Sequence, residues 1–368
     1  MIYYKLPTFK NIISLKPKLH EDICLPFISK SIFNYCNETK EHIMNECLKE
    51  NECLNFEHFT SIVHSYEYIH TNIPEKSYSI SQLKTYTNLF YELLEILCVT
   101  QILSEINDFI NVLHIARSTD SLEIIQYINT IHENKFISHF HYNTLLEYKN
   151  EVNTNFDFIF FNHIDSDDTN KYIIDLIKYI MIILRDQRAK GVTLIKINYI
   201  YHKPVIDLLY LLATLFEKVY VIKPSVSNMV SSERFILCSK FTEDEENINM
   251  CKKNCKILFE LLNTNKNILS LIEENIPCYF INKLNDINLI IGQQQLEALN
   301  QIIHIVKGKN QREKIEQIQK NNIQKSVIWC DKYMVPHIKV HEKTNSFLNC
   351  DNATLKFFSD TFINENDV

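Results

Sequence analysis

An α/β fold, with a central and mostly parallel sheet flanked by helices, is what this sequence predicts. Three observations carry the prediction. Short β-prone segments alternate with amphipathic helical ones through the middle of the chain, one of those segments is apolar and aromatic but for a single aspartate, and helical patterning takes over on either side.

The elements follow in order. Between Gln82 and Ile106 the apolar residues Leu83, Tyr86, Phe90, Leu93, Leu94, Leu97 and Ile102 recur at helical spacing, with Ser79 or Ser81 as N-cap, which predicts one long helix. Asn111–Ile115 is short and β-prone, and Ser121–His132 reads as a helix. Phe156–Phe161 (FDFIFF) is, Asp157 apart, an apolar and aromatic run of the kind buried on both faces of a parallel sheet. A helix over Lys171–Gln187, a strand over Val192–Ile197, a helix over Pro204–Phe216 with proline in its first turn, and strands over Lys218–Lys223 and Arg234–Ser239 complete the alternation. After the acidic TEDEEN segment, Ile248–Lys325 is almost entirely helical in pattern. This divides the chain into residues 1–78, an accessory and mostly helical region; 79–242, the α/β domain; 243–340, a helical extension; and 341–368, a polar tail expected to be loosely held.

Composition narrows the function. With 46% hydrophobic and 23% charged residues the chain has the means to fold, and its net charge of −7 argues against binding nucleic acid by global attraction. A local basic groove remains open, since Lys171, Lys178, Arg185, Arg188, Lys190, Lys196, Lys203, Lys218 and Lys223 fall within one segment. The acidic balance favours a protein partner. Eleven scattered cysteines predict reduced thiols and a cytoplasmic location. Cys251 and Cys255 stand alone without a second ligand pair, so no metal is expected. The most apolar run, Tyr172–Leu184, contains Asp175 and Lys178 and is too short to span a membrane. Only three glycines occur, Gly191, Gly292 and Gly308, where ordinary usage of about 7% would give roughly 25. A site that grips a nucleotide through backbone amides needs glycine for close approach, so this scarcity bears on function.

The informative block is Gly191–Phe241. A strand ends in Lys196, a proline-opened helix follows, the next strand ends in Lys223-Pro224, and Ser231-Ser232-Glu233 leads into the last strand. In order, spacing and apolar context this resembles the second half of the FtsJ-like (RrmJ-like) RNA ribose 2′-O-methyltransferases. The resemblance implies a Rossmann-like methyltransferase fold, S-adenosyl-L-methionine as cofactor and RNA, including capped mRNA, as partner. It also implies a Lys-Asp-Lys-Glu tetrad that deprotonates a ribose 2′-hydroxyl, with Lys196 as the basic lysine, Glu233 as the glutamate and Lys223 at the substrate. A lysine can take that proton when burial and neighbouring cations make it less basic.

The first half of the chain departs from the pattern. Where the family places its first lysine on a helix, Glu92-Leu93-Leu94-Glu95-Ile96 offers an acid, and where it ends a strand in aspartate, FDFIFFNHID offers Asn162, with Asp165 three residues later as a substitute. The family's glycine-rich cofactor turn is replaced by VLHIARSTDSLEII, with no glycine between Val112 and Asn143, so side chains from Ala116 to Asp120 are expected to occupy the cofactor's space. Ser326–Pro336 (SVIWCDKYMVP) further resembles an element of FtsJ-like proteins of large cytoplasmic DNA viruses, and its spacing predicts a helix end with Trp329 and Tyr333 on one face, docked on the core. The expected function is that of a catalytically degenerate methyltransferase-fold partner in RNA 2′-O-methylation or cap processing. Two alternatives stay open: an active 2′-O-methyltransferase with a divergent cofactor loop, and an RNA-binding module relying on Lys196 and Lys223.

Overall fold

The computed structural model describes residues 1–338 apart from 22–23, 50–55, 104–108, 133–134, 146, 149–154, 163–167, 263–265 and 308–310. Asp165, Gly308 and the tail 341–368 lie outside the described residues.

The sheet has seven strands. β1 (Ile2–Leu6), β3 (Phe109–Ile115), β4 (Phe136–Tyr142), β5 (Phe156–Asn162), β6 (Gln187–Ile197), β7 (Phe216–Lys223) and β8 (Arg234–Phe241) run in the order β1-β7-β8-β6-β5-β3-β4. β4, β3, β5 and β6 are parallel neighbours, while β8 is antiparallel to β6 and β7, and β1 is antiparallel to β7. This is the Rossmann-like α/β architecture the sequence predicts. A short second sheet pairs β2 (Lys18–His20) with β9 (Asn267–Ser270).

β5 shows why the apolar run matters. Its first six residues are all buried, Phe156, Ile159 and Phe161 joining the core on one face and Phe158 and Phe160 the core on the other. On the first face pack α6 (Thr169–Asp186), α7 (Lys203–Leu215) and α8 (Glu245–Leu261). The second face takes α4 (Leu89–Thr100), α5 (Asp120–His132) and the end of α10 (Gln311–Lys332). There Trp329 packs on Tyr333 with ring centroids 4.6 Å apart and meets the edge of Tyr91 at 6.0 Å, as the spacing predicts.

Three features differ from expectation. The helix predicted from Gln82 begins only at Leu89 and stops at Gln101, which takes the left-handed conformation; the backbone amides of Tyr86 and Thr87 are bonded instead to Asp120. The region after 248 is interrupted by β9, whose following amides, Leu271 and Ile272, are held by the buried Asp207 carboxylate of α7. The N-terminal region supplies α1 (Lys30–Lys49), α2 (Phe56–Val63) and α3 (Glu67–His70), but also β1, an edge strand of the main sheet whose short mixed pattern gave no period-two signal.

α1 lies along α9 (Cys278–Val306), and glycine at 292 allows their close approach. A Cβ there would stand 2.4 Å from Cγ1 of Ile32. Gly292→Ala is expected to overpack this contact and cost about 1–3 kcal/mol, read as a lower melting temperature.

Candidate active site

The chain leaves β3 through α5 to β4 on one side and returns to β5 on the other, so the sheet's switch point lies between β3 and β5. Sites in such sheets form beyond the carboxyl ends of the strands. The residues picked out by the sequence gather at that edge.

Lys196 sits near the end of β6, opposite Asn162 in the β5–β6 register. Its ammonium donates to Glu92 Oε2 at 2.9 Å and pairs with Glu233 Oε2 at 3.1 Å. Glu92 comes from α4 and also accepts the hydroxyl of Ser227 at 2.7 Å. Glu92, Asn162, Lys196 and Glu233 thus occupy neighbouring positions although they come from four separate segments. Burial by itself would make Lys196 less basic, but the Glu92 and Glu233 carboxylates outweigh it and hold the ammonium well above the usual lysine range. The result is a lysine fixed in its protonated form.

Lys223, expected at the substrate, lies at the end of β7 beneath the loop that follows. It is 2% exposed, and its ammonium donates to the carbonyls of Asn228, Ser231 and Glu233 at 3.1, 2.8 and 2.8 Å. It supports the loop that carries Glu233. Burial, with the Arg234 guanidinium alongside, lowers its pKa to about 7.

Glu95, one turn after Glu92, accepts the amides of Ser225 and Val226 at 3.0 and 3.3 Å and the Trp329 indole N–H at 3.3 Å. The acid-rich ELLE segment therefore has an internal use for both carboxylates: one faces Lys196 and the other fixes the loop after β7. The fully buried Arg234 donates to the Ser232 carbonyl at 3.1 Å and to Asn288 of α9 at 2.7 Å. Asn288 also donates to the Ile200 carbonyl at 2.6 Å, so α9 braces the loops on both sides of β6 and β8. Sequence reasoning missed Asn288 and Arg234. A lone asparagine among the apolar positions of α9 was the available signal.

Residues 148–241 match the family model of FtsJ-like methyltransferases. Among curated proteins, none matches the chain. Among solved structures it is similar to a protein from Plasmodium falciparum described as a ribosomal RNA methyltransferase, at 13% identity and a TM-score of 0.34, over 42% of this chain and 97% of that one. It is also similar to a protein from Streptococcus thermophilus described as a hemolysin, at 10% identity and a TM-score of 0.28, over 49% of this chain and 78% of that one. The family match covers β5 to β8, with Lys196, Lys223 and Glu233.

That family generally uses S-adenosylmethionine, and the loop after β3 is where the cofactor's fit is tested. Ala116, Ser118 and Asp120 are 2%, 6% and 0% exposed. Asp120 accepts the amides of Tyr86 and Thr87 at 3.1 Å, together with the Thr87 hydroxyl. The Ala116 amide donates to the Tyr142 carbonyl at 3.1 Å, and the Ser118 carbonyl contacts the His141 ring at 3.3 Å. Behind them His114 bridges Ser121 and His139 at 2.9 and 3.0 Å, its pKa lowered well below the usual range by burial. The Asp120 carboxylate and the Ala116 amide are thus engaged within the protein, whereas the buried Ser118 hydroxyl has no hydrogen-bond partner among the described residues and Arg117 and Thr119 are exposed. Among the described residues no helix is long and apolar enough to cross a membrane.

Proposed function

We propose that this protein is a catalytically degenerate FtsJ-like methyltransferase-fold protein that serves RNA 2′-O-methylation, of capped mRNA in particular, by binding and supporting a catalytic partner. The observation that carries this reading is the pairing of Lys196 with Glu92 and Glu233. A lysine serves as general base only when it can lose its proton near neutral pH. Two carboxylates, with an acid where the family resemblance calls for a second lysine and Asn162 where it calls for aspartate, keep the proton on. The loop after β3 supports the same reading, because the Asp120 carboxylate is spent on the amides of Tyr86 and Thr87 and no glycine there eases the approach of a nucleotide.

Isothermal calorimetry with S-adenosylmethionine and S-adenosylhomocysteine tests it. No binding heat at millimolar ligand is expected, and no transfer of labelled methyl to capped RNA. Micromolar binding followed by transfer that Lys196→Ala abolishes would replace this reading with that of an active 2′-O-methyltransferase.

A further inference from the structure

Glu233 borders a cleft of about 450 Å³, within the size range of small-ligand sites. α1 lines it with Phe33, Asn37 and Lys40, the segment after β6 with Tyr199 and Tyr201, and α9 with Gln295. α1 and α9 both lie outside the segment that matches the family. The cleft is therefore built jointly by the matched segment and by helices outside it.

Its chemistry is selective. Tyr199 and Tyr201 lie with their rings 24° from parallel and centroids 6.0 Å apart, and Phe33 meets Tyr201 edge-on at 5.0 Å. Amide side chains supply both donors and acceptors: Asn37, which is exposed, Asn198, Asn228 and Gln295. Gln295 uses its amide N–H on the Val230 carbonyl at 2.9 Å, which fixes its orientation. Among the described residues lining the cleft the charged ones are Lys40 and Glu233, one of each sign. A phosphate or an acidic peptide would find no cationic cluster here. What matches rings together with amides and near-zero net charge is a flat, uncharged heterocycle with hydrogen-bonding edges. Unstacked bases of single-stranded RNA are bound in this way, by aromatic side chains on the face and polar groups on the edge.

We infer that this cleft takes one nucleobase of single-stranded RNA, with the attached ribose toward Glu233. The inference rests on the reading of the protein as one that acts on RNA, and it is independent of whether methyl transfer occurs. Tyr199 and Phe33 supply the stacking surface and Asn37 an edge contact, while phosphates remain outside the cleft.

The test is fluorescence anisotropy with a short labelled single-stranded RNA and a set of identical strands carrying one abasic ribose at successive positions, on the full chain. One position is expected to lose about ten- to hundredfold in affinity when its base is removed. Tyr199→Leu and Asn37→Ala should each weaken the intact strand and add little to the loss already caused by the abasic site, since variant and abasic site delete the same contact. Asn37 is exposed and its variant keeps the test sound if Tyr199→Leu fails to fold. An intact strand bound no better than any abasic one would overturn the cleft assignment and leave the RNA reading standing. No binding of any strand by the unaltered protein would overturn both.

Discussion

Replacing Lys196 with methionine is expected to destabilise the protein by about 3 kcal/mol at neutral pH, measured as a fall in the denaturant midpoint. The variant leaves Glu92, 4% exposed, and Glu233 facing each other with no cation between them. Removing one partner of a buried ion pair costs more than the pair contributes, because the remaining charge stays desolvated. The pH dependence carries the same signature. In the unaltered protein burial works against ionisation of Glu233, but Lys196, with Lys223, outweighs it and holds the carboxyl below its usual range. That contribution is present above the usual glutamate pKa and is lost as pH falls through the lower folded value. In the variant the slope reverses: as pH falls toward about 4, protonation relieves the repulsion and the deficit narrows. Adding Glu92→Gln to Lys196→Met should recover most of the loss. A single variant as stable as the parent at neutral pH would show that the three charges are not coupled.

The second large effect concerns Lys223. Its folded pKa of about 7 lies below that of the unfolded chain, so between about 7 and the ordinary lysine value the unfolded state holds a proton that the folded state has released. Stability should therefore rise with pH across that window, by on the order of 1 kcal/mol per pH unit at most. Lys196 does not contribute there, because its folded value is raised and its support is lost only at more alkaline pH. Lys223→Met should flatten the rise and at the same time leave the carbonyls of Asn228, Ser231 and Glu233 without their donor. Urea midpoints at several pH values, with and without the substitution, measure both. A rise of equal slope in parent and variant would assign it to another group.

What the sequence disclosed and what it withheld divide along physical lines. β5 was legible because a strand buried on both faces is apolar at nearly every position, Asp157 being held by Arg188, α6 because its burial recurs at helical spacing, and α7 because proline opens its first turn. The gathering of Lys196 with Glu233 was legible only through the family resemblance, since residues 196 and 233 reach the same edge by way of the sheet's strand order. Glu92 was placed at the missing lysine's position by the same route, yet its direct bond to Lys196, 104 residues away in sequence, was not readable from any local pattern. The helix boundary at Leu89 was missed because Asp120 competes for the amides of Tyr86 and Thr87, and Asp120 reads locally as part of a helix cap. The loop contacts of Lys223 were not readable for a simple reason. A cation at a strand end looks the same in sequence whether it reaches solvent or turns under its own loop.

The bracing of two loops by Asn288 of α9, together with the contact between Ile32 and Gly292, sets a condition on how the protein is born. A ribosome delivers the β strands first, and the nascent chain can assemble its sheet while α9 is still being synthesised. Ile200 and Arg234 take their partner from a side chain dozens of residues further along, and α1 takes its companion from a helix further still from it in sequence. The edge that carries Lys196 and Glu233 is thereby tied to a side chain far beyond it in the sequence.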